Sequence, residues 1–181
     1  GAGAAKRIGG DGRGGVCGLR RPAEGRLGNK PVVATVRSNA GLDAAIHAAG
    51  GQIVRTAVGD KHVIDQMLSD DYNLGGEQSG HLIFRDCGTT GDGLVAALQI
   101  LRIMKAKDQP LSKLARCWRR FPQLVTTVRV REKKPFAALD VLAELLAQAV
   151  AEVRAAGGRV LRRCSGPEPG ARAWREGPAA W

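Results

Sequence analysis

The sequence predicts a three-layer α/β/α domain with a mostly parallel sheet, followed by a small α+β domain. Two observations lead to this prediction. Short β-branched runs alternate with amphipathic helical patterns over about residues 31–107, as they do in α/β proteins. After a break at Asp108-Gln109-Pro110, an alternating strand pattern, one long helix and another strand follow, which is typical of a separate α+β unit.

The α/β part begins at Pro31, because the β-branched run after it is typical of a buried parallel strand. Gly50-Gly51 ends the first helix, and Asp92 is suited to cap the third. The predicted strands are 32–36, 53–58, a short one near 72–74, and 81–84. The predicted helices are 42–49, one that follows the turn at 59–61 and carries residues 63–68, and 93–107.

A short helix over 111–119 is predicted to lead into the second unit. That unit has a strand at 124–131, a helix at 137–156 closed by Gly157-Gly158, and a strand at 159–162. We therefore expect four regions. They are an irregular segment at 1–30, an α/β domain at 31–107, a linker helix at 108–122 and a small domain at 123–181.

Composition excludes several classes of protein. No apolar run approaches the length of a membrane span, so we expect no membrane partner. The four cysteines form no Cys-x-x-Cys pair and are not clustered with the histidines, which argues against a zinc site or a disulfide framework and fits a cytoplasmic location. They are Cys17, Cys87, Cys117 and Cys164.

The net charge of +11 first suggests a nucleic-acid partner, but the charge is concentrated at the two ends of the chain. Residues 1–30 hold seven Lys and Arg against two acidic residues, and 158–181 hold five against two. No nucleic-acid motif accompanies them, so a basic nucleic-acid binder stays only an alternative. Ten of the 25 glycines also lie in 1–30, without the flanking strand and helix that a phosphate loop needs.

The polar stretch 75–81 is the main candidate site. It combines three glycines with Glu77, Ser79 and His81, side chains that can exchange hydrogen bonds with sugar hydroxyls or an amine. The segments 37–41, 59–61 and 75–81 each follow a predicted strand, so all three are expected at one edge of the sheet, where ligands bind in such folds. The alternative is a polar surface turn.

A second polar loop spans residues 163–169. Arg163 and Arg172 offer guanidinium forks, and Ser165 and Gly166 add a hydroxyl and loosened backbone amides, a combination that suits a phosphate group. A solvated basic turn is the alternative for this loop.

Several motifs together resemble the α-D-phosphohexomutases. They are Gly-Glu-Gln-Ser-Gly-His at 76–81, Thr-Thr-Gly-Asp-Gly at 89–93 and Arg-x-Ser-Gly-x-Glu-Pro at 163–169. The stretches 33–42 and 72–78 narrow the resemblance to the phosphoglucosamine mutases, which interconvert glucosamine 6-phosphate and glucosamine 1-phosphate for UDP-N-acetylglucosamine and cell-wall synthesis. The resemblance covers about residues 26–168 and implies the third and fourth domains of a four-domain isomerase.

The resemblance assigns roles to the candidate residues. It implies that Glu77 and Ser79 grip sugar hydroxyls and that His81 borders the catalytic centre. Arg37 and Lys61 are further candidates for positive charge in the same loops. The resemblance further implies that the non-transferred phosphate is held by Arg163, Ser165, Gly166 and Arg172.

The resemblance also implies parts that this sequence does not contain. The family uses a phosphoserine in its first domain and Mg2+ held by an Asp-Gly-Asp-x-Asp-Arg loop in its second, and neither motif occurs here. We therefore expect no catalytic residue and no magnesium ligand in this chain. It is expected to bind sugar phosphate, to need the missing N-terminal domains as partners, and to be inactive alone.

Three departures from the family pattern lie near the C-terminal end. Pro167 replaces a threonine and so removes a hydroxyl and a backbone N–H, and Gly170-Ala171 replaces larger apolar residues. After Arg172 the sequence does not resemble the family's apolar strand and closing helix. Our hypothesis is that 1–30 and 173–181 are not in the native reading frame.

Overall fold

A computed structural model describes residues 31–116, 118–130, 140–164 and 170–178. The chain divides into two compact units, with the boundary between Arg119 and Arg120. Among the described helices, none is long and apolar enough to cross a membrane.

The first unit contains a four-stranded sheet in the order β2-β1-β3-β4. β1 pairs in parallel with both β2 and β3, and β4 is antiparallel to β3. The predicted fold class, a mostly parallel α/β/α domain followed by a small second sheet, is confirmed. Its elements are β1 (Val32–Thr35), α1 (Ala40–Ala48), β2 (Ile53–Thr56), α2 (Asp60–Ser69), β3 (Leu74–Gly76), β4 (Leu82–Phe84), α3 (Gly93–Lys107) and α4 (Leu111–Leu114).

The sheet has a separate apolar cluster on each face, which produces the three layers. On one face, Val33 and Ile83 of the sheet pack with Val63 and Met67 of α2. On the other face, side chains of α1 and α3 cover the alternate strand residues. This larger cluster comprises Val32, Ala34, Leu42, Ile46, Leu74, Leu82, Phe84, Ala96, Ile103 and Leu114.

In the first unit, the main differences between the structure and the sequence-based elements lie in two places. Gly75 and Gly76 belong to strand β3, where they are buried, whereas the sequence placed both in a loop. The pairing of β3 with β1 and β4 supplies backbone hydrogen bonds that offset the poor strand propensity of glycine. The helix predicted over 111–119 is shorter and ends at Leu114.

The second unit contains an antiparallel sheet of three strands in the order β5-β7-β6. The sequence did not predict β7, because the residues after Arg172 do not resemble the apolar strand of the family. β7 is nevertheless the central strand, paired with neighbours on both sides over its length. The elements are β5 (Gln123–Arg129), α5 (Asp140–Ala155), β6 (Arg159–Cys164) and β7 (Gly170–Glu176).

A buried ion pair ties the end of β7 to β6. Glu176 is only 2% exposed, and its carboxylate accepts hydrogen bonds from the Arg159 guanidinium and, at 3.3 Å, from the Gln123 amide. A buried carboxylate needs such partners, because its desolvation would otherwise oppose folding. The pair supplies this carboxylate with its cation, while the pairing with β5 and β6 supplies the backbone hydrogen bonds of the strand.

We expect Arg159→Leu to destabilise the second unit by about 3 kcal/mol, because it removes the cation beside a buried carboxylate. Hydrogen exchange of β6 and β7 amides in the full chain measures this. The exposed Arg154→Leu, on α5, is the control and should leave exchange unchanged. Equal protection in the two variants would contradict a stabilising role for the pair.

Candidate functional site

The chain segments that follow β1, β2 and β3 lie at one edge of the first sheet, because these three strands run parallel. The segment after β3 is a tight connection into β4. The Glu77 amide donates to the His81 carbonyl at 3.0 Å, and the Gly80 amide donates to the Glu77 carbonyl at 3.1 Å. Gly80 has φ +106°, a conformation that favours glycine. This turn fixes the backbone positions of Glu77, Ser79 and His81.

The carboxylate of Glu77 is held from two directions. Its Oε1 accepts from the Gly59 amide at 2.8 Å, and its Oε2 accepts from the Ser79 hydroxyl at 2.7 Å. Gly59 is the residue before helix α2, so the carboxylate lies at the positive end of the helix dipole. Glu77 is therefore pre-oriented by the protein and does not depend on a ligand for its position.

The imidazole of His81 contacts a residue that the sequence did not single out as a site residue. Its Nδ1 lies 3.0 Å from Oδ2 and 3.2 Å from Oδ1 of Asp60, and 3.5 Å from the Ser79 hydroxyl. Asp60 is the first residue of α2, directly before the predicted candidate Lys61. Its position directly after a strand of the parallel sheet is the sequence feature that indicates a site residue here.

A cavity of about 260 Å3 adjoins this cluster. Glu77 and Ser79 line it together with Arg37, which is exposed in the segment after β1. One of the two further cationic candidates, Arg37, thus lines the same cavity as the carboxylate, whereas exposed Lys61 is not among the lining residues. The sequence missed the others, Thr35, Val58 and Gln78.

The segment that carries Arg37 is braced by Arg55 of β2. The Arg55 guanidinium donates to the Thr35 carbonyl and, at 2.8 Å, to the Ser38 carbonyl, and it forms an ion pair with Asp43 of α1. These bonds join strand β2 to the end of β1 and to the turn that follows it. They hold the β1–α1 connection at the rim of the cavity.

Tyr72, just before β3, has a perturbed phenol. Desolvation raises its pKa above the ordinary value of 10.0, and the charge of Asp70 and a hydrogen bond to it raise it further. The phenol is therefore protonated throughout the neutral range.

The candidate phosphate residues are described only in part. Arg163 of β6 and Arg172 of β7 are direct partners in the antiparallel register, so the structure places their backbones side by side. Ser165, Gly166 and Pro167 lie outside the described residues, as does any effect of Pro167 on the loop.

Comparison with known proteins identifies the family of this chain. Residues 10–121 match the family described as phosphoglucomutase/phosphomannomutase, alpha/beta/alpha domain III. The chain belongs to this family. The match covers more than half of the 181 residues and includes every site residue of the first unit.

Within this family, the curated relatives that the chain resembles are phosphoglucosamine mutases. The chain is 50% identical over 154 residues to phosphoglucosamine mutase of Anaeromyxobacter dehalogenans, covering 85% of this chain and 33% of that protein. For the phosphoglucosamine mutase of Syntrophotalea carbinolica, identity is 48% over 162 residues, covering 90% and 35%. The chain thus spans about a third of the length of these relatives.

Solved structures agree on the fold. The chain matches the N-acetylphosphoglucosamine mutase of Aspergillus fumigatus with a TM-score of 0.71 and 17% identity, covering 95% of this chain and 40% of that one. The same fungal enzyme in complex with GlcNAc-6P and magnesium matches with a TM-score of 0.69 and 16% identity. At these identities the likeness concerns the fold alone.

The residues of the first site do not fit the magnesium ion that accompanies the fungal enzyme. Asp60, Glu77 and His81 have donor atoms within 4.8 Å of one another. However, one donor is an imidazole nitrogen, whereas Mg2+ favours an octahedron of oxygens. Both carboxylates already accept hydrogen bonds inside the cluster, so these bonds account for its geometry.

Proposed function

We propose that the first unit is the sugar-binding domain of a phosphoglucosamine mutase, and that this chain binds glucosamine phosphate without converting it. The whole enzyme would be an isomerase that interconverts glucosamine 6-phosphate and glucosamine 1-phosphate through a phosphoserine. In this proposal residues 31–107 and 123–181 correspond to its third and fourth domains. Mg2+ and the phosphoserine would be supplied by domains outside this sequence.

The observation that carries the proposal is the pre-oriented carboxylate of Glu77. Two donors fix it at the carboxyl edge of a parallel sheet, on the wall of a cavity that Arg37 and Ser79 also line. A carboxylate oxygen can accept more than one hydrogen bond, so Glu77 keeps acceptor capacity for sugar hydroxyls or an ammonium group. A fixed acceptor loses little conformational entropy when a ligand binds.

A cationic group at the same cavity gives it a second kind of contact. The guanidinium of Arg37 suits a ligand phosphate, because arginine can donate two parallel hydrogen bonds to an anion. The cavity therefore offers an acceptor and a cation to one small ligand, which matches an anionic sugar better than a neutral one.

For the second unit we propose phosphate binding at the Arg163–Arg172 pair. Two guanidinium groups on paired positions of adjacent strands would hold a dianion more firmly than either alone. Ser165 and Gly166 belong to this proposal through their place in the motif.

Titration calorimetry of the full chain with glucosamine 6-phosphate tests the sugar site. We expect Glu77→Gln to weaken binding by about tenfold or more, because a charged hydrogen bond contributes about 1.5–3 kcal/mol. The matched control is Glu144→Gln, an exposed glutamate on α5, which should bind as the wild type does.

Two results would count against the proposal. Equal affinity of the Glu77→Gln and wild-type chains for glucosamine 6-phosphate would show that the loop does not bind the sugar. Turnover by the isolated chain, assayed with glucose 1,6-bisphosphate and magnesium, would contradict the absence of catalysis. The alternative of a basic nucleic-acid binder would instead show DNA affinity that falls steeply as salt rises.

A further inference from the structure

We infer that Asp60 is a positioning residue that fixes the tautomer of His81, so that Nε2 offers a lone pair to a hydrogen-bond donor of the ligand. This inference rests on the proposed function, because it describes the same site. It names the kind of ligand group received at His81, a sugar hydroxyl or ammonium, and it adds Asp60, a residue to which the sequence motif assigns no role.

The first step concerns the proton on Nδ1. An ionised carboxylate can only accept hydrogen bonds. The contacts of 3.0 and 3.2 Å between His81 Nδ1 and the two oxygens of Asp60 are therefore hydrogen bonds only when Nδ1 carries the proton. Ser79 is consistent with this arrangement. Its hydroxyl proton is directed to Glu77 at 2.7 Å, which leaves its oxygen as the acceptor at 3.5 Å from Nδ1.

The second step concerns Nε2. In a neutral imidazole one ring nitrogen is a donor and the other an acceptor, so a protonated Nδ1 makes Nε2 the acceptor. Among the described residues, Nε2 of His81 has no hydrogen-bond partner, and the side chain is 57% exposed. The lone pair is thus available to a ligand.

The third step concerns the ligand. A lone pair on Nε2, beside the carboxylates of Asp60 and Glu77, attracts a donor and disfavours a phosphate oxygen. We therefore expect His81 to bind a hydroxyl or ammonium of the sugar ring, and the phosphate of the ligand to bind at another position. Both groups share the required chemistry, an N–H or O–H donor.

Nitrogen NMR of the full chain, labelled at histidine, tests the tautomer. Long-range proton–nitrogen spectra, recorded at a pH well above the ordinary titration range of imidazole, distinguish Nδ1–H from Nε2–H. The signal of His81 is assigned with His81→Gln, and the exposed His47 and His62 serve as internal references. We expect the Nδ1–H form at His81 in the wild type.

The test variant is Asp60→Asn, because an amide can donate to Nδ1 and thereby favour the Nε2–H form. Asp65→Asn, at an exposed position on the same helix, is the matched control and should leave the His81 spectrum unchanged. A predominant Nε2–H form in the wild type, or an unchanged His81 spectrum in Asp60→Asn, would overturn the inference. A purely structural role of Asp60 would not move this spectrum in a folded variant.

Calorimetry then identifies the donor. We expect Asp60→Asn to weaken the binding of glucosamine 6-phosphate by about tenfold and to leave the binding of inorganic phosphate unchanged. An equal loss for glucose 6-phosphate indicates a hydroxyl at His81, and a loss confined to glucosamine 6-phosphate indicates the ammonium. Weakened binding of inorganic phosphate would overturn the donor assignment. If the wild type shows the expected tautomer but binds no sugar phosphate, the proposed function fails while the positioning role of Asp60 stands.

Discussion

Gly75→Ala is expected to destabilise the first unit by about 3 kcal/mol, near the upper end for overpacking of a core. A Cβ at this position would lie 2.5 Å from Met67 Sδ and 2.7 Å from Val63 Cγ1. Both side chains are almost fully buried, at 1% and 0% exposure, so neither can move aside without disturbing the α2 layer. Strand β3 would be displaced instead, together with Glu77, which follows it by one residue.

Urea denaturation of the full chain, followed by circular dichroism, measures this effect. The control is Gly88→Ala, because a Cβ there meets no atom within 4 Å. We expect the Gly88 variant to unfold within about 0.5 kcal/mol of the wild type, as ordinary surface substitutions do. A Gly75→Ala chain as stable as the Gly88→Ala chain would show that the α2 layer adapts more readily than its packing indicates.

Arg55→Met is expected to lower the free energy of unfolding by about 3 kcal/mol, because it leaves a half-buried carboxylate and three backbone carbonyls without their guanidinium donor. The carboxylate belongs to Asp43, and the carbonyls belong to the buried residues Thr35, Ser38 and Asn39. Methionine keeps much of the length and apolar character of the arginine stem, so the loss reports the polar contacts rather than a cavity.

The matched control for this variant is Arg102→Met, which removes an exposed arginine from α3. Thermal unfolding of both variants should show a lower midpoint only for Arg55→Met. Calorimetry with glucosamine 6-phosphate adds a second measurement, since a loosened β1–α1 connection would also misplace Arg37. Equal midpoints for the two variants would show that water replaces the guanidinium at little cost.

The sheet of the first unit was largely predictable, because most of its strands have a local pattern. The β-branched residues of β1 and the helical spacing of Val63 and Met67 in α2 are properties of neighbouring residues. The strand character of Gly75 and Gly76 was not predictable in this way. It depends on hydrogen bonds to strands far away in the sequence and on a helix too close to admit a side chain.

The site was predictable to a similar, limited degree. The motif around Glu77, Ser79 and His81, with the rule that ligands bind at the carboxyl ends of parallel strands, indicated the right edge of the sheet. The partners of these residues were not indicated. Gly59 and Asp60 lie 18 and 21 residues from Glu77 and His81, and only the parallel pairing of β1 with β2 and β3 brings them together.

By itself, the sequence determined the fold class and the family motifs, since both depend on residue types at short spacing. Only the tertiary structure decided that the Gly59 amide holds the Glu77 carboxylate and that the carboxylate of Asp60 faces His81. It also decided that β7 is a central strand, stabilised at Glu176 by a cation on β6. The physical reason is common to all three. Each depends on a charged or hydrogen-bonding group whose partner is distant in the chain, and folding alone sets that distance.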